Sequence, residues 1–119
     1  MDNREFAGLL EKRTLAFAIQ IIKLSSLLPN LPEGRVVRNQ ITKSGTSVGA
    51  NYREANRSRS RADFSSRIKI CESEASETQY WLEIIGDLGW ISQEQIKHVY
   101  QECSELLAIF SSIGRKSPI

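Results

Sequence analysis

The chain has 119 residues, 40% of them apolar and 25% charged, with a formal net charge of +2. That is the size and composition of one soluble globular domain with a modest core, here residues 1–119. No run approaches the ~18 apolar residues of a membrane span. The opening Met1-Asp2-Asn3-Arg4-Glu5 also lacks the basic stretch and short apolar core of a signal peptide. The expected location is the cytoplasm, with no membrane partner.

Helical periodicity recurs along the whole chain, and no alternating strand pattern of useful length interrupts it. The first segment, about 3–28, opens on Asp2 or Asn3 as a cap and points Phe6, Leu10, Phe17, Ile21, Leu24 and Leu28 inward. Pro29 and Pro32 stop it, because proline cannot continue the backbone ladder. The second segment, about 35–57, places Val37, Ile41, Ser44, Val48 and Ala55 inward. Gly45 and Gly49 lower its helix propensity. That cost is explained if a neighbouring helix approaches closely there; the alternative is a break in the helix.

Ser60-Arg61-Ala62-Asp63 reads as a capping box for a third helix, about 60–88, which Gly89 is placed to end. Its Phe64, Ile68, Cys71, Ala75, Thr78, Leu82 and Ile85 alternate four and three residues apart, the seam of a bundle. At ~100° per residue, Ile70, Trp81 and Leu88 fall about 120–140° from that seam and Ile84 about 180°. A monomeric bundle needs one buried stripe per helix. This second stripe, Ile70, Trp81, Ile84 and Leu88, implies either an unusually wide core or burial against another subunit, and on the latter reading it is the candidate oligomer interface. Ser92-Gln93-Glu94-Gln95 caps a fourth helix, about 92–114, with Ile96, Val99, Cys103, Leu106, Leu107, Phe110 and Ile113 inward. Short connections make neighbours antiparallel, so the expected fold is all-α: an up-down-up-down four-helix bundle assembling as a homo-oligomeric ring.

Charge is unevenly spread. Residues 35–69 carry nine bases against Glu54 and Asp63, whereas residues 70–105 carry eight acids against Lys97. On the second helix Arg35, Arg53 and Arg57 share the outward half. Arg57, Arg59 and Arg61 then concentrate before the third helix, where backbone amides attract anions. Arginine suits bidentate phosphate contact. Arg35, Arg53, Arg57, Arg59 and Arg61 are accordingly the candidate contacts to RNA or DNA. Two alternatives stay open: a solvated basic face, or salt bridges to acidic helices of neighbouring subunits in a protein–protein scaffold.

Signals for catalysis are sparse. His98 is the single histidine, no Glu-x-x-His pair occurs, and the glycine-rich stretch lacks the Lys-Ser/Thr ending of a phosphate loop. Glu72, Glu74 and Glu77 point in different directions around their helix. The expectation is a non-enzyme with no catalytic residues, metal, cofactor or small-molecule substrate. Its competitor is a metal-dependent nuclease using Glu72 or Glu74. Cys71 and Cys103 read as small buried hydrophobes rather than a disulfide or metal pair.

The run Ser44-Gly45-Thr46-Ser47-Val48-Gly49-Ala50-Asn51-Tyr52-Arg53-Glu54-Ala55 continues with Ser60, Phe64, Lys69-Ile70, Glu74-Ala75, Glu77-Thr78 and Tyr80-Trp81-Leu82-Glu83. It closely resembles the bacterial four-helix-bundle family named for the intervening-sequence protein of 23S ribosomal RNA genes. The resemblance spans nearly the whole chain and implies a small cytoplasmic bundle forming a ring, with the homopentamer the associated form. It implies no established activity. A related branch, the accessory protein of diversity-generating retroelements, is a basic pentameric barrel that works with a reverse transcriptase and RNA. This chain looks like the generic branch, and Arg53, Arg57, Arg59 and Arg61 are where an equivalent surface would lie.

Overall fold

The computed structural model describes residues 1–116. Four helices, α1 (Asn3–Ser25), α2 (Pro32–Ala55), α3 (Arg61–Leu88) and α4 (Gln93–Lys116), hold most of them, and no strand occurs among the described residues. The helix starts follow local chemistry. Asp2 accepts the Glu5 amide at 2.8 Å, Ser60 the Asp63 amide at 3.0 Å and Ser92 the Gln95 amide at 3.3 Å. These satisfy donors that have no partner within the helix. Gly89 closes α3 with φ of 69°, a left-handed conformation that costs a residue without Cβ nothing.

Two boundaries differ from the periodicity. α2 begins at Pro32 rather than near 35, because proline at a first helical position loses no needed hydrogen bond and has φ already set. α1 ends at Ser25 rather than 28, although Leu28 still packs into the core. The carbonyls left at that end of α1 are taken by a side chain from the next helix. Arg38 donates from Nε to Ser25 O at 3.2 Å and from its guanidinium to Leu28 O at 2.8 Å.

Contacts between helices fix their directions. From α1 to α2, Glu11 meets Asn56, Thr14 meets Gly49, Ile21 meets Gly45 and Ser25 meets Arg38, so numbers fall on one helix as they rise on the other. From α3 to α4 the same holds for Glu72–Ser111, Gln79–Ser104, Glu83–Tyr100 and Gly86–Gln93. The backbones of α2 and α3 run closest and those of α1 and α4 least close among neighbours, while diagonal helices meet only through side chains, the pattern of an up-down-up-down bundle. The rod measures 44 × 26 × 20 Å.

The inward stripes form one core in which Phe17, Ile21, Ile41, Val48, Ile68, Leu82, Ile85, Leu106 and Phe110 are fully buried. Phe6 is the exception, half-exposed at the start of α1. Tyr52 joins the core edge-on to Phe110, ring centroids 5.4 Å apart. Ser44 and Thr78, buried across α2 and α3, satisfy each other at 2.9 Å.

α2 is unbroken at its glycines, and they do admit a neighbour. A Cβ at Gly45 would lie 2.7 Å from Ile21 Cγ2, and one at Gly49 2.9 Å from Thr14 Oγ1. Cys71 and Cys103 are both buried and free. Burial pushes each thiol up to about 12, and Cys103 Sγ donates to Ala75 O at 3.2 Å. Neither is a thiolate near neutral pH.

Gly45→Ala should lower stability by about 1–3 kcal/mol despite alanine's better helix propensity, because Ile21 must move; chemical denaturation measures it. The thiols predict a pH dependence. Their folded values lie above the ordinary 9.0, so their contribution is complete below pH 9 and is lost as pH rises toward 12. Unfolding free energy should fall by about 1 kcal/mol per pH unit per thiol over that window, and less steeply in a Cys71→Ala, Cys103→Ala chain.

Candidate nucleic-acid interface

The structure sorts the cations of the basic segment into those already engaged and those left over. Arg38 caps α1, as above. Arg35 lies at the other end of α2 from Arg53, about 27 Å away at 1.5 Å per residue, and donates to Asn30 Oδ1 at 3.0 Å. Sharing a helical-wheel angle does not bring the two together. Arg35 thus drops out of the cluster expected from sequence. Arg53 sits at the basic end but has Glu11 Oε1 3.6 Å from its Nε, and the same carboxylate accepts Asn56 Nδ2 at 2.9 Å. Arg67 stands 3.9 Å from Asp63.

Lys43 and Lys69 remain exposed on α2 and α3, and Arg57, Arg59 and Arg61 remain together. All three are exposed, and none forms an ion pair among the described residues. They occupy the turn from α2 to α3. Antiparallel topology brings the start of α1 and the end of α4 to this same end of the rod, adding Arg4, Arg115 and Lys116. Sequence reasoning missed these three because they lie far from the basic segment along the chain. The signal was the alternation of helix direction itself. Within about two turns of this end the cations are Arg4, Arg53, Arg57, Arg59, Arg61, Arg67, Lys69, Arg115 and Lys116. Against them, among the described residues, stand Asp2, Glu5, Glu11, Glu54 and Asp63.

A cleft of about 690 Å³ opens at this end, with Phe6, Tyr52, Asn56, Phe64, Ile113 and Lys116 on its walls. Its titratable groups are the Lys116 ammonium and the Tyr52 phenol, whose pKa burial raises above the ordinary value. It holds no paired carboxylates and no histidine. Elsewhere Glu72 is bonded to Ser111, and no group of three or more His, Cys, Asp or Glu converges on a metal position among the described residues. No described helix is long and apolar enough to cross a membrane.

The proposed subunit stripe on α3 divides in two. Ile70 and Leu88 are exposed, at 39% and 55%. Trp81 and Ile84 are half-buried in the protomer: Trp81 packs on the core, donates Nε1–H to Glu77 at 3.1 Å and meets Tyr80 edge-on at 5.1 Å. α3 lies between α2 and α4, so its buried arc is wider than one seam. A larger apolar surface, unread in the sequence, lies on α1, where Leu15, Ile19 and Ile22 are each about half exposed. Spacings of four and three set them on one face, away from Phe17 and Ile21. Finishing their burial would stabilise an assembly by about 1 kcal/mol each before association costs.

Arg13 ties α1 to α4 by hydrogen bonds. Its guanidinium donates to Glu102 at 2.7 and 2.8 Å and to Glu105 at 2.8 Å, and the Glu102 bond leads in raising its pKa above the ordinary arginine value.

The sequence profile described as "23S rRNA-intervening sequence protein" matches residues 10–112. A solved structure from Bacteroides thetaiotaomicron, described as a protein with unknown function from the S23 ribosomal protein family, is 38% identical with a TM-score of 0.82. The alignment covers 87% of this chain and 96% of that one. Comparison with curated proteins finds no match. Neither description names a reaction.

The division of the arginines is testable. Arg38→Ala should cost about 1–3 kcal/mol of stability, because Leu28 O loses its donor and Ser25 O keeps only the Leu28 amide. Arg59→Ala should stay within about 0.5 kcal/mol of wild type. Thermal melts of the two variants measure the contrast.

Proposed function

Because the chain belongs to the 23S rRNA-intervening sequence protein family, we propose that it is a non-enzymatic, cytoplasmic homo-oligomer that binds RNA or DNA through the basic end of its bundle. One observation carries the reading: Arg57, Arg59 and Arg61 are exposed without ion pairs among the described residues, on an end that gathers Arg4, Arg115 and Lys116 from two other helices. Guanidiniums with no carboxylate to satisfy them offer forked donors to phosphate oxygens.

Recognition is by charge and shape. Each phosphate neutralised releases condensed counterions, and contacts of this kind carry no base-sequence information. A ring, the pentamer implied by the family resemblance, repeats the surface around one axis and turns weak single-protomer contacts into multivalent ones. The exposed Ile70 and Leu88 of α3 belong to the contact between subunits in this reading.

The test is a titration of structured RNA into wild type and an Arg57→Ala, Arg59→Ala, Arg61→Ala variant at two salt concentrations, with oligomer size measured alongside. Wild-type affinity should fall steeply with salt, with a log–log slope of about one per phosphate on duplex. The variant should keep its oligomer and lose most of that slope. Absence of wild-type binding at low salt would sink the proposal. A variant that instead falls apart into protomers would assign the arginines to inter-subunit ion pairs in a scaffold.

A further inference from the structure

The assembly proposed above leaves open what the exposed Ile70 and Leu88 of α3 meet. We propose that the outer face of α1 in one copy of this chain docks on the outer face of α3 in the next, so that two different surfaces of each protomer are used. The inference rests on the homo-oligomer reading and adds the identity of both faces.

On α1, Leu15, Ile19 and Ile22 lie within about 60° of one another, and Lys12 and Lys23 border them on one side. Both lysines are exposed and neither has an ion pair among the described residues. On α3, the exposed Ile70, Tyr80 and Leu88 share an arc of about 100° with Glu77 and Asp87. Those two carboxylates are also exposed and without an ion pair among the described residues.

The two surfaces match in kind and in the spacing of their charges. Each carries three large apolar side chains and two charges of one sign, opposite between the faces; Lys69, beside Ile70, adds one cation to the α3 arc and leaves that face net acidic. Lys12 and Lys23 are about 16 Å apart along α1, and Glu77 and Asp87 about 15 Å apart along α3. Pairing α1 with α1 would set lysine against lysine, and pairing α3 with α3 would set carboxylate against carboxylate. Either symmetric arrangement is penalised by like charge. The α1-to-α3 arrangement is heterologous, the kind that closes into a ring when the rotation is right.

Sedimentation of five chains tests this: wild type; Leu15→Asp with Ile19→Asp; Lys12→Glu with Lys23→Glu; Glu77→Lys with Asp87→Lys; and the last two pairs combined. All six positions are exposed, and circular dichroism checks that each chain folds. We expect the three double variants to need at least tenfold more protein to assemble, and the combined chain to recover. A wild type that is monomeric would remove the oligomer reading itself and this inference with it. An assembled wild type whose Leu15, Ile19 variant stays assembled would overturn the role of α1 alone. A combined chain that stays dissociated would overturn α3 as its partner.

Discussion

The contact on which the rest of this structure depends is the approach of α1 to the glycine groove of α2. Ile21 and Thr14 rest where Cβ atoms at Gly45 and Gly49 would be. That fit, with Arg38 reaching across to the end of α1, holds the first helix almost entirely from one side. The other side of α1 meets α4 thinly, through Arg13 and two carboxylates. A helix held this way buries one stripe and leaves a broad remainder facing out. The exposure of Leu15, Ile19 and Ile22 follows from how α1 is attached, and it is what the proposed assembly would cover.

Antiparallel connectivity has a second consequence, at the ends of the rod. Cations at the close of α2 and α4 suit the negative ends of those helix dipoles. Arg59 and Arg61 are placed differently, beside the positive amino end of α3. There Asp63, in the first turn, is the local carboxylate, and Arg67 shares it. Cations accumulated at a helix start are electrostatically unfavourable unless an anion joins them. A phosphate at this turn would relieve that repulsion as well as accept hydrogen bonds, which is why the basic end suits an anionic ligand better than a merely solvated face does.

Much of the fold was legible because it is governed by local rules. The capping serines, the left-handed Gly89 and the four inward stripes each depend on residues a few positions apart, and the small-residue run of α2 announced a close neighbour. What was not legible depends on distance along the chain. Arg13 finds Glu102 across 89 residues, and nothing near Arg13 marks it as the clasp between α1 and α4. Arg35 and Arg53 share a wheel angle, but a wheel discards height, and height separates them. Of the two readings of the second stripe on α3, the wide core holds for Trp81 and Ile84, because a helix between two neighbours buries more than one seam. The outer stripe of α1 went unread because its inward stripe already accounted for the helix.

Face pairing and charge placement constrain each other. A cyclic ring is generated by rotation about one axis, and rotation leaves every protomer pointing the same way along it. If α1 of one copy meets α3 of the next around such an axis, an axis running along the bundles places all the basic ends on a single rim. A two-fold contact between like faces, with its axis across the bundles, would send the basic ends in opposite directions. Only the polar arrangement lets Arg57, Arg59 and Arg61 of successive subunits form a continuous ring of guanidiniums. Multivalent capture of a phosphate backbone needs that continuity, because the effective concentration of the second contact depends on the next site lying within reach of the same strand. The proposed pairing of α1 with α3 and the proposed binding of nucleic acid at the basic end are therefore linked: the polarity that the first would impose is the geometry that the second would require.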